Sequence, residues 1–315
     1  MASETADHRA GYIGILGRPN TGKSTLLNKV LGQKVSIISH KAQTTRNRVV
    51  GIHTTDAVQA VLVDTPGHHE AWSKLNKALV REAEAAIMDV DVVMLLIDLL
   101  PAISMVKQEK DILSKGERVL LARIQEEGKP IVLGLNKVDV VEPEWVLPVI
   151  DAWRALHDFV AIVPFSALKG KNVDALMDEA CKLLPEGPPL FPGDQLMDTS
   201  ERFVVSEIVR EKLFHNLDQE LPYSTAVRVE RWLDEGEGSE SRVLINAVIM
   251  VERKSQKGIV IGKGGSMLKR IGTQARHDIQ RLLNCRVRLE LHVKVERDWT
   301  NNPRILRELG LEGKS

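Results

Sequence analysis

The stretch Gly17-Arg18-Pro19-Asn20-Thr21-Gly22-Lys23-Ser24 decides the fold. It has the form GxxxxGK[ST], preceded by the apolar run YIGIL (12–16) and followed by STLLNKVLG (24–32), whose leucines recur at helical spacing. A strand, a glycine-bearing turn and a helix in that order make a phosphate-binding loop. The glycines let backbone N–H groups converge on phosphates, and the helix adds its positive end. Lys23 is expected to reach the β- and γ-phosphates and the Ser24 hydroxyl to ligate Mg²⁺, with Thr25 following in the helix. By itself this motif specifies a nucleoside triphosphate and no base.

Outward from the loop, short apolar runs at 58–63, 92–97, 131–135 and 160–164 alternate with longer stretches of helical period. That alternation predicts βαβ units and a mostly parallel sheet, the α/β class. Residues 47–55 read as a further strand, close enough to 58–63 to form one antiparallel pair.

The ends of these runs carry the remaining chemistry. Asn136-Lys137-Val138-Asp139 follows IVLGL, and a buried Asp139 carboxylate is expected to accept from the guanine N1–H and 2-amino group. Adenine offers neither donor, and a site built to hydrogen-bond a missing group rejects the analogue by up to ~10⁴–10⁵. Ser166-Ala167 follows the last run and is expected to bring a backbone N–H to guanine O6. Asp64-Thr65-Pro66-Gly67 ends 58–63: Asp64 is the expected second Mg²⁺ contact, and the Gly67 N–H the γ-phosphate sensor. Upstream, Gln43-Thr44-Thr45-Arg46 lies in a polar loop, where one threonine adds a hydroxyl to Mg²⁺ only when the γ-phosphate is present. Thr45 is favoured over Thr44 by analogy with similar GTPases. Together these elements predict a GTPase.

The composition shifts at LPEGPPLFPGD (184–194), whose prolines and glycines predict a semi-rigid linker. The expected organisation is a GTP-binding domain over 1–185, a linker over 186–200, a second domain over 201–300 and a tail over 301–315. In the second domain a helix (201–217) precedes two alternating runs, 225–233 and 242–251, which flank DEGEGSE as a hairpin. A glycine-rich turn, a helix from about 267 to 283 and a strand at 287–295 complete an α-β-β-α-β order. The turn, Gly262-Lys263-Gly264-Gly265, is a GxxG loop entering a helix, the device by which a KH domain clamps about four nucleotides. Lys257, Lys263, Lys269 and Arg270 are expected to surround it with cations.

With those motifs in place, the chain resembles the Era family of bacterial GTPases, in the translation-factor-related branch. The resemblance rests on GRPNTGKS (17–24), KAQTTR (41–46), VVGIHT (49–54), VDTPG (63–67), NKVD (136–139) and PFSALKG (164–170). In the second domain it rests on ERFVVSEIVREKLF (201–214), ELPYS (220–224), VERKSQKGIVIGKGG (251–265) and LHVKVERDW (291–299). It implies a P-loop NTPase (Ras-like) G domain followed by an α+β type II KH domain. It also implies binding to the 3′ end of small-subunit (16S) ribosomal RNA during 30S assembly. Asn20 is similar to the asparagine that coordinates K⁺ in potassium-activated relatives. His68 departs from the pattern, since that position is usually hydrophobic in the family. An imidazole there could hold the attacking water, whereas a solvated loop histidine is the plainer reading.

Charge and composition exclude other classes. The 315 residues balance 43 Lys+Arg against 43 Asp+Glu, yet residues 251–300 alone hold twelve basic and five acidic side chains. A neutral chain with one basic block fits a nucleic-acid module. The most apolar stretch, 90–100, contains Asp91 and Asp98 and is far short of a membrane span. Cys181 and Cys285 fit no metal or disulfide spacing, and Trp72, Trp145 and Trp153 read as packing residues. A cytoplasmic monomer is expected, with peripheral contact to the inner membrane left open. Residues 105–128 read as an amphipathic helix turning at Lys115-Gly116, and 304–309 as a short terminal helix. Two rivals stand beside the nucleotide-controlled RNA binder. A GTPase supporting tRNA modification would need a further cofactor domain, and a passive KH adaptor is opposed by the intact Lys23, Ser24, Asp64, Asn136 and Asp139.

Overall fold

A computed structural model of the protein describes residues 8–38, 46, 48–65, 87–218, 220–235 and 242–309. The chain divides into two compact units, one holding 45–72, 79–198 and the residues up to 35, the other 36–44, 73–78 and 199–315.

The first unit is built on a six-stranded sheet of order β2-β3-β1-β4-β5-β6. Its strands are β1 (Arg9–Gly17), β2 (Val49–Thr54), β3 (Val58–Asp64), β4 (Val92–Asp98), β5 (Ile131–Asn136) and β6 (Ala161–Phe165). All neighbours pair in parallel except β2 with β3, the antiparallel pair expected from the short gap between them. β4 and β5 are buried almost throughout, as parallel strands covered on both faces must be. Helices α1 (Lys23–Leu31), α2 (Leu99–Lys107), α3 (Lys115–Glu126), α4 (Val146–Arg154) and α5 (Val173–Cys181) follow the strands. Trp153 and Leu121 belong to a buried cluster around β4 and β5, with Trp145 half-buried at its margin. Trp72 lies outside the described residues.

Three local expectations change. Lys115-Gly116 opens α3 rather than turning the chain, because the Ser114 hydroxyl oxygen accepts from the Glu117 N–H and the Glu117 carboxylate accepts from the Ser114 N–H, a capping box. The proline-rich segment is fastened to the sheet rather than spanning solvent. The buried Gln59 of β3 accepts from the Leu190 and Phe191 N–H groups and donates to the Phe191 carbonyl. Thirdly, residues 254–261 form a helix, absent from the expected α-β-β-α-β order.

The second unit therefore runs α6 (Glu201–Asn216), β7 (Ala226–Glu235), β8 (Arg242–Val251), α7 (Lys254–Ile261), α8 (Ser266–Leu283) and β9 (Arg286–Val295), ending in α9 (Pro303–Glu308). Its sheet has the order β7-β8-β9, with β7 and β8 antiparallel and β8 and β9 parallel. The run Ile259-Val260-Ile261 has strand propensity, but Val260 is fully buried and α7 packs against α8 and β9. Tertiary packing overrides local preference there. On α8, Ile271, Ala275 and Ile279 form the buried stripe, and charged residues fill much of the remainder. Both cysteines are free, and burial pushes the Cys181 thiol up to about 11, so neither is a reactive thiolate at neutral pH.

Candidate nucleotide and RNA sites

The phosphate loop leaves the C-terminal end of β1, the sheet edge where open α/β folds bind ligands. Gly17, Asn20 and Gly22 have φ of +146°, +67° and +100°. At Gly22 a Cβ would strike the Asn136 amide nitrogen, so both the dihedral and the space require glycine. The Thr21 hydroxyl donates to the Arg18 carbonyl at 2.9 Å, closing the loop on itself.

Lys23 is 5% exposed, and its ammonium donates to the Gly17 and Arg18 carbonyls at 3.0 and 2.9 Å. Burial lowers this lysine from its ordinary value to about 8, with the Asp64 carboxylate pulling it partly back. The Ser24 hydroxyl donates to Asp64 Oδ2 at 2.7 Å, and Asp64 is fully buried at the end of β3. Two hard oxygen donors thus sit side by side under the loop, the chemistry Mg²⁺ prefers. Thr65 bonds back to the Ile15 carbonyl at 3.1 Å, fixing β3 against β1 at this edge.

The base end is tied to the phosphate end by one side chain. Asn136 donates from Nδ2 to the Thr21 carbonyl at 2.7 Å, and its Oδ1 accepts from the Lys137 and Ala167 N–H groups at 2.8 and 3.0 Å. Lys137, at φ +74°, reaches Asp98 Oδ2 at 2.5 Å. Asp139 lies on the short 3₁₀ turn Val138–Val140 and is exposed, not buried as expected. A turn just past a strand end leaves its side chain in solvent, so any cover over the carboxylate comes from the base itself. The Ser166 N–H donates to the Lys171 carbonyl at 2.9 Å, and the Ala167 N–H is the one held by Asn136. The loop is therefore shaped by its own hydrogen bonds. Thr44, Thr45, Pro66, Gly67 and His68 lie outside the described residues, as does Gln43.

In the second unit the GxxG loop follows α7. Gly262, Gly264 and Gly265 take φ of +74°, +60° and +79°. A Cβ at Gly262 would meet Met267 Cβ at 2.7 Å, whereas Gly264 and Gly265 face open space. The loop thus presents bare backbone outward, the condition for close approach of phosphates. Lys263 and Lys269 are exposed and Lys257 half-buried, and none has a carboxylate partner among the described residues. Arg270 differs from the expected arrangement: its guanidinium donates to Asn216 of α6. That long-range partner was invisible in the local sequence.

Two family models match the chain: one described as 50S ribosome-binding GTPase, over residues 12–137, and one described as KH domain, over 220–300. A relative named GTPase Era from Syntrophus aciditrophicus (strain SB) is 45% identical over 302 residues, 96% of this chain and 95% of its own. The chain belongs to the Era family of GTPases. Its backbone superposes on that of Aquifex aeolicus Era bound to GDP·AlF₄⁻ with a TM-score of 0.88 at 38% identity, covering 97% of this chain and 100% of the other. A crystal structure of Era with MgGDPNP and nucleotides 1506–1542 of 16S ribosomal RNA matches with a TM-score of 0.89, also at 38% identity over 97% of this chain and 100% of that one. The GTPase model matches ahead of the KH model along the chain, and both Era structures match over its whole length bar a few per cent. Among the described residues no helix is long and apolar enough to cross a membrane.

Proposed function

We propose that this Era-family GTPase uses its nucleotide state to control binding of its KH domain to the 3′ end of 16S ribosomal RNA, in 30S subunit assembly. The observation that carries the reading is the coexistence, on one chain, of an intact phosphate loop and an outward-facing GxxG loop flanked by lysines that have no carboxylate partner among the described residues. Era with MgGDPNP and nucleotides 1506–1542 of 16S RNA lends it support.

In this reading Lys23 holds the β- and γ-phosphates, and a triphosphate beside it restores the charge that burial has weakened. Ser24, Asp64 and Thr45 hold Mg²⁺, which when bound neutralises charge developing on the phosphates. The Gly67 N–H senses the γ-phosphate. Asn136 keeps the phosphate loop and the base loop in register, and Asp139 selects guanine. Lys257, Lys263 and Lys269 with Gly262, Gly264 and Gly265 hold the RNA backbone. Glu211 and His215, one turn apart on α6, hold Ile38 from both sides: Ile38 N–H donates to Glu211 at 3.3 Å and its carbonyl meets His215 Nε2 at 3.0 Å. Ile38 enters the segment bearing Thr45, so ordering of that segment by GTP reaches the helix that opens the KH domain. The protein acts in the cytoplasm as a monomer.

The test is affinity at one fixed salt for an RNA copying nucleotides 1506–1542. Binding at least ~10-fold tighter than to the same composition in scrambled order is expected, and equal affinity would leave only non-specific phosphate binding.

Potassium at Asn20 is the second part of the proposal. Asn20 sits at a left-handed φ of +67° within the phosphate loop, and a monovalent cation there would supply charge that an arginine finger brings elsewhere. GTP turnover measured in K⁺ is expected to exceed that in Na⁺ by about 10-fold, the size of one modest electrostatic contact of ~1.4 kcal/mol. Identical rates in the two salts would remove potassium from the account.

A further inference from the structure

Asp139, the residue that would select the base, has no hydrogen bond or ion pair of its own among the described residues. Its position is set by the turn that carries it. That turn opens at Lys137, whose carbonyl accepts from the Val140 N–H at 3.1 Å. Val138 and Val141 anchor the turn from below by packing against the core. Lys137 sets its entry, at φ +74°, a left-handed conformation uncommon for any residue but glycine. Such a conformation persists only where the surroundings over-determine it. Here two bonds do so, one at each end of the residue. The Lys137 N–H donates to Asn136 Oδ1 at 2.8 Å, and its ammonium donates to Asp98 Oδ2 at 2.5 Å.

Asp98 closes β4 in register with Asn136 of β5, so the lysine stem spans the ends of two neighbouring strands. The carboxylate is itself fixed. Its Oδ1 accepts from the Leu100 N–H at 3.0 Å as the N-cap of α2, which leaves Oδ2 for the lysine. The Asp98 side chain is 17% exposed and that of Lys137 33%, against 69% and 43% for the acid and base of the surface pair Lys107–Glu142. A charge-assisted bond so shielded is screened by salt less than a surface pair is. One carboxylate thus joins the start of α2 to the start of the turn bearing Asp139.

We infer that Asp98 is a positioning residue for base selection: acting through Lys137, it holds the turn that aims Asp139 at the guanine N1–H and 2-amino group. The inference rests on the reading of Asp139 above. It is tested with the full chain and Mg²⁺, by competing GDP and inosine diphosphate (IDP), which lacks the 2-amino group, against a fluorescent guanine nucleotide. Wild type should prefer GDP by about 10-fold or more, the worth of one hydrogen bond to a charged group. Asp98→Asn keeps an oxygen to cap α2, since asparagine caps as well as aspartate, but removes the anion that draws in Lys137. GDP affinity should fall by about 10-fold and IDP affinity by no more than about 3-fold, because two parallel hydrogen bonds demand a stricter aim than one. Lys137→Met leaves the Asp98 cap in place and should narrow the preference to the same degree. Adding Asp98→Asn to it should change nothing more, as for two residues acting through one contact. Equal weakening of GDP and IDP in Asp98→Asn would give the residue a merely structural role and overturn the inference. An unchanged preference would overturn it too, as would effects of the two substitutions that simply multiply. Were Asp98→Asn not to fold, a wild-type preference in Lys137→Met would still overturn it. If wild type does not tell GDP from IDP, Asp139 does not read the 2-amino group, and the inference falls with that reading.

Discussion

Replacing Asp139 with asparagine should weaken GTP binding by about 100-fold and turn the site toward xanthosine triphosphate. In the proposed function the carboxylate accepts from two guanine donors, and hydrogen bonds to a charged group are worth about 1.5–3 kcal/mol each. An amide keeps one acceptor and sets its NH₂ against the guanine 2-amino group. Xanthine carries an oxygen at that position, so the amide's donor finds an acceptor and the variant should prefer XTP over GTP. Because Asp139 is exposed on a 3₁₀ turn, the substitution leaves the fold intact, which a melting curve checks. Competition against a fluorescent guanine nucleotide measures the effect. An Asp139→Asn protein that retains full GTP affinity and ignores XTP would remove this residue from base selection.

The second large effect is expected at the GxxG loop. Lys263→Asp with Gly264→Asp removes one cation and adds two anions where phosphates approach the main chain. Gly264 has φ +60° and open space around a Cβ, and aspartate is among the residues that tolerate that conformation. The fold should lose little: about 1 kcal/mol, a few degrees in melting temperature. RNA affinity at fixed salt should fall by at least about 100-fold, since each contact to phosphate also releases a counterion. By contrast, an alanine at Gly262 would disturb the loop itself, because a Cβ there meets Met267. RNA binding that survives the double aspartate change would place the RNA elsewhere on the second unit.

Much of this site was legible because nucleotide-binding chemistry is local in sequence. Gly17 to Ser24, Asp64 and Asn136 each close a strand, and strands announce themselves as short apolar runs between glycines and carboxylates. What escaped depended on partners far along the chain. Gln59 reads as one polar residue in a buried strand; only the fold brings it to Leu190 and Phe191, and so ties down a segment that looks like a spacer. Arg270 reads as a neighbour of the GxxG loop, but Asn216, 54 residues away, orients it toward α6. The helix α7 was hidden by Ile259-Val260-Ile261, whose branching favours strands until burial of Val260 decides otherwise. Asp139 was assigned to the interior by its chemistry, while the 3₁₀ turn after β5 leaves it exposed.

The central claim is that two sites on this chain are coupled. Its most direct test is the affinity for an RNA copying nucleotides 1506–1542 at one fixed salt, first with a non-hydrolysable GTP analogue and then with GDP. The account predicts binding about 10-fold tighter with the analogue, a coupling of roughly 1.4 kcal/mol within the usual range for linked sites. By reciprocity the RNA should tighten the analogue by the same factor. Equal RNA affinity in the two nucleotide states would contradict the account, leaving a GTPase and an RNA binder that share a chain without communicating.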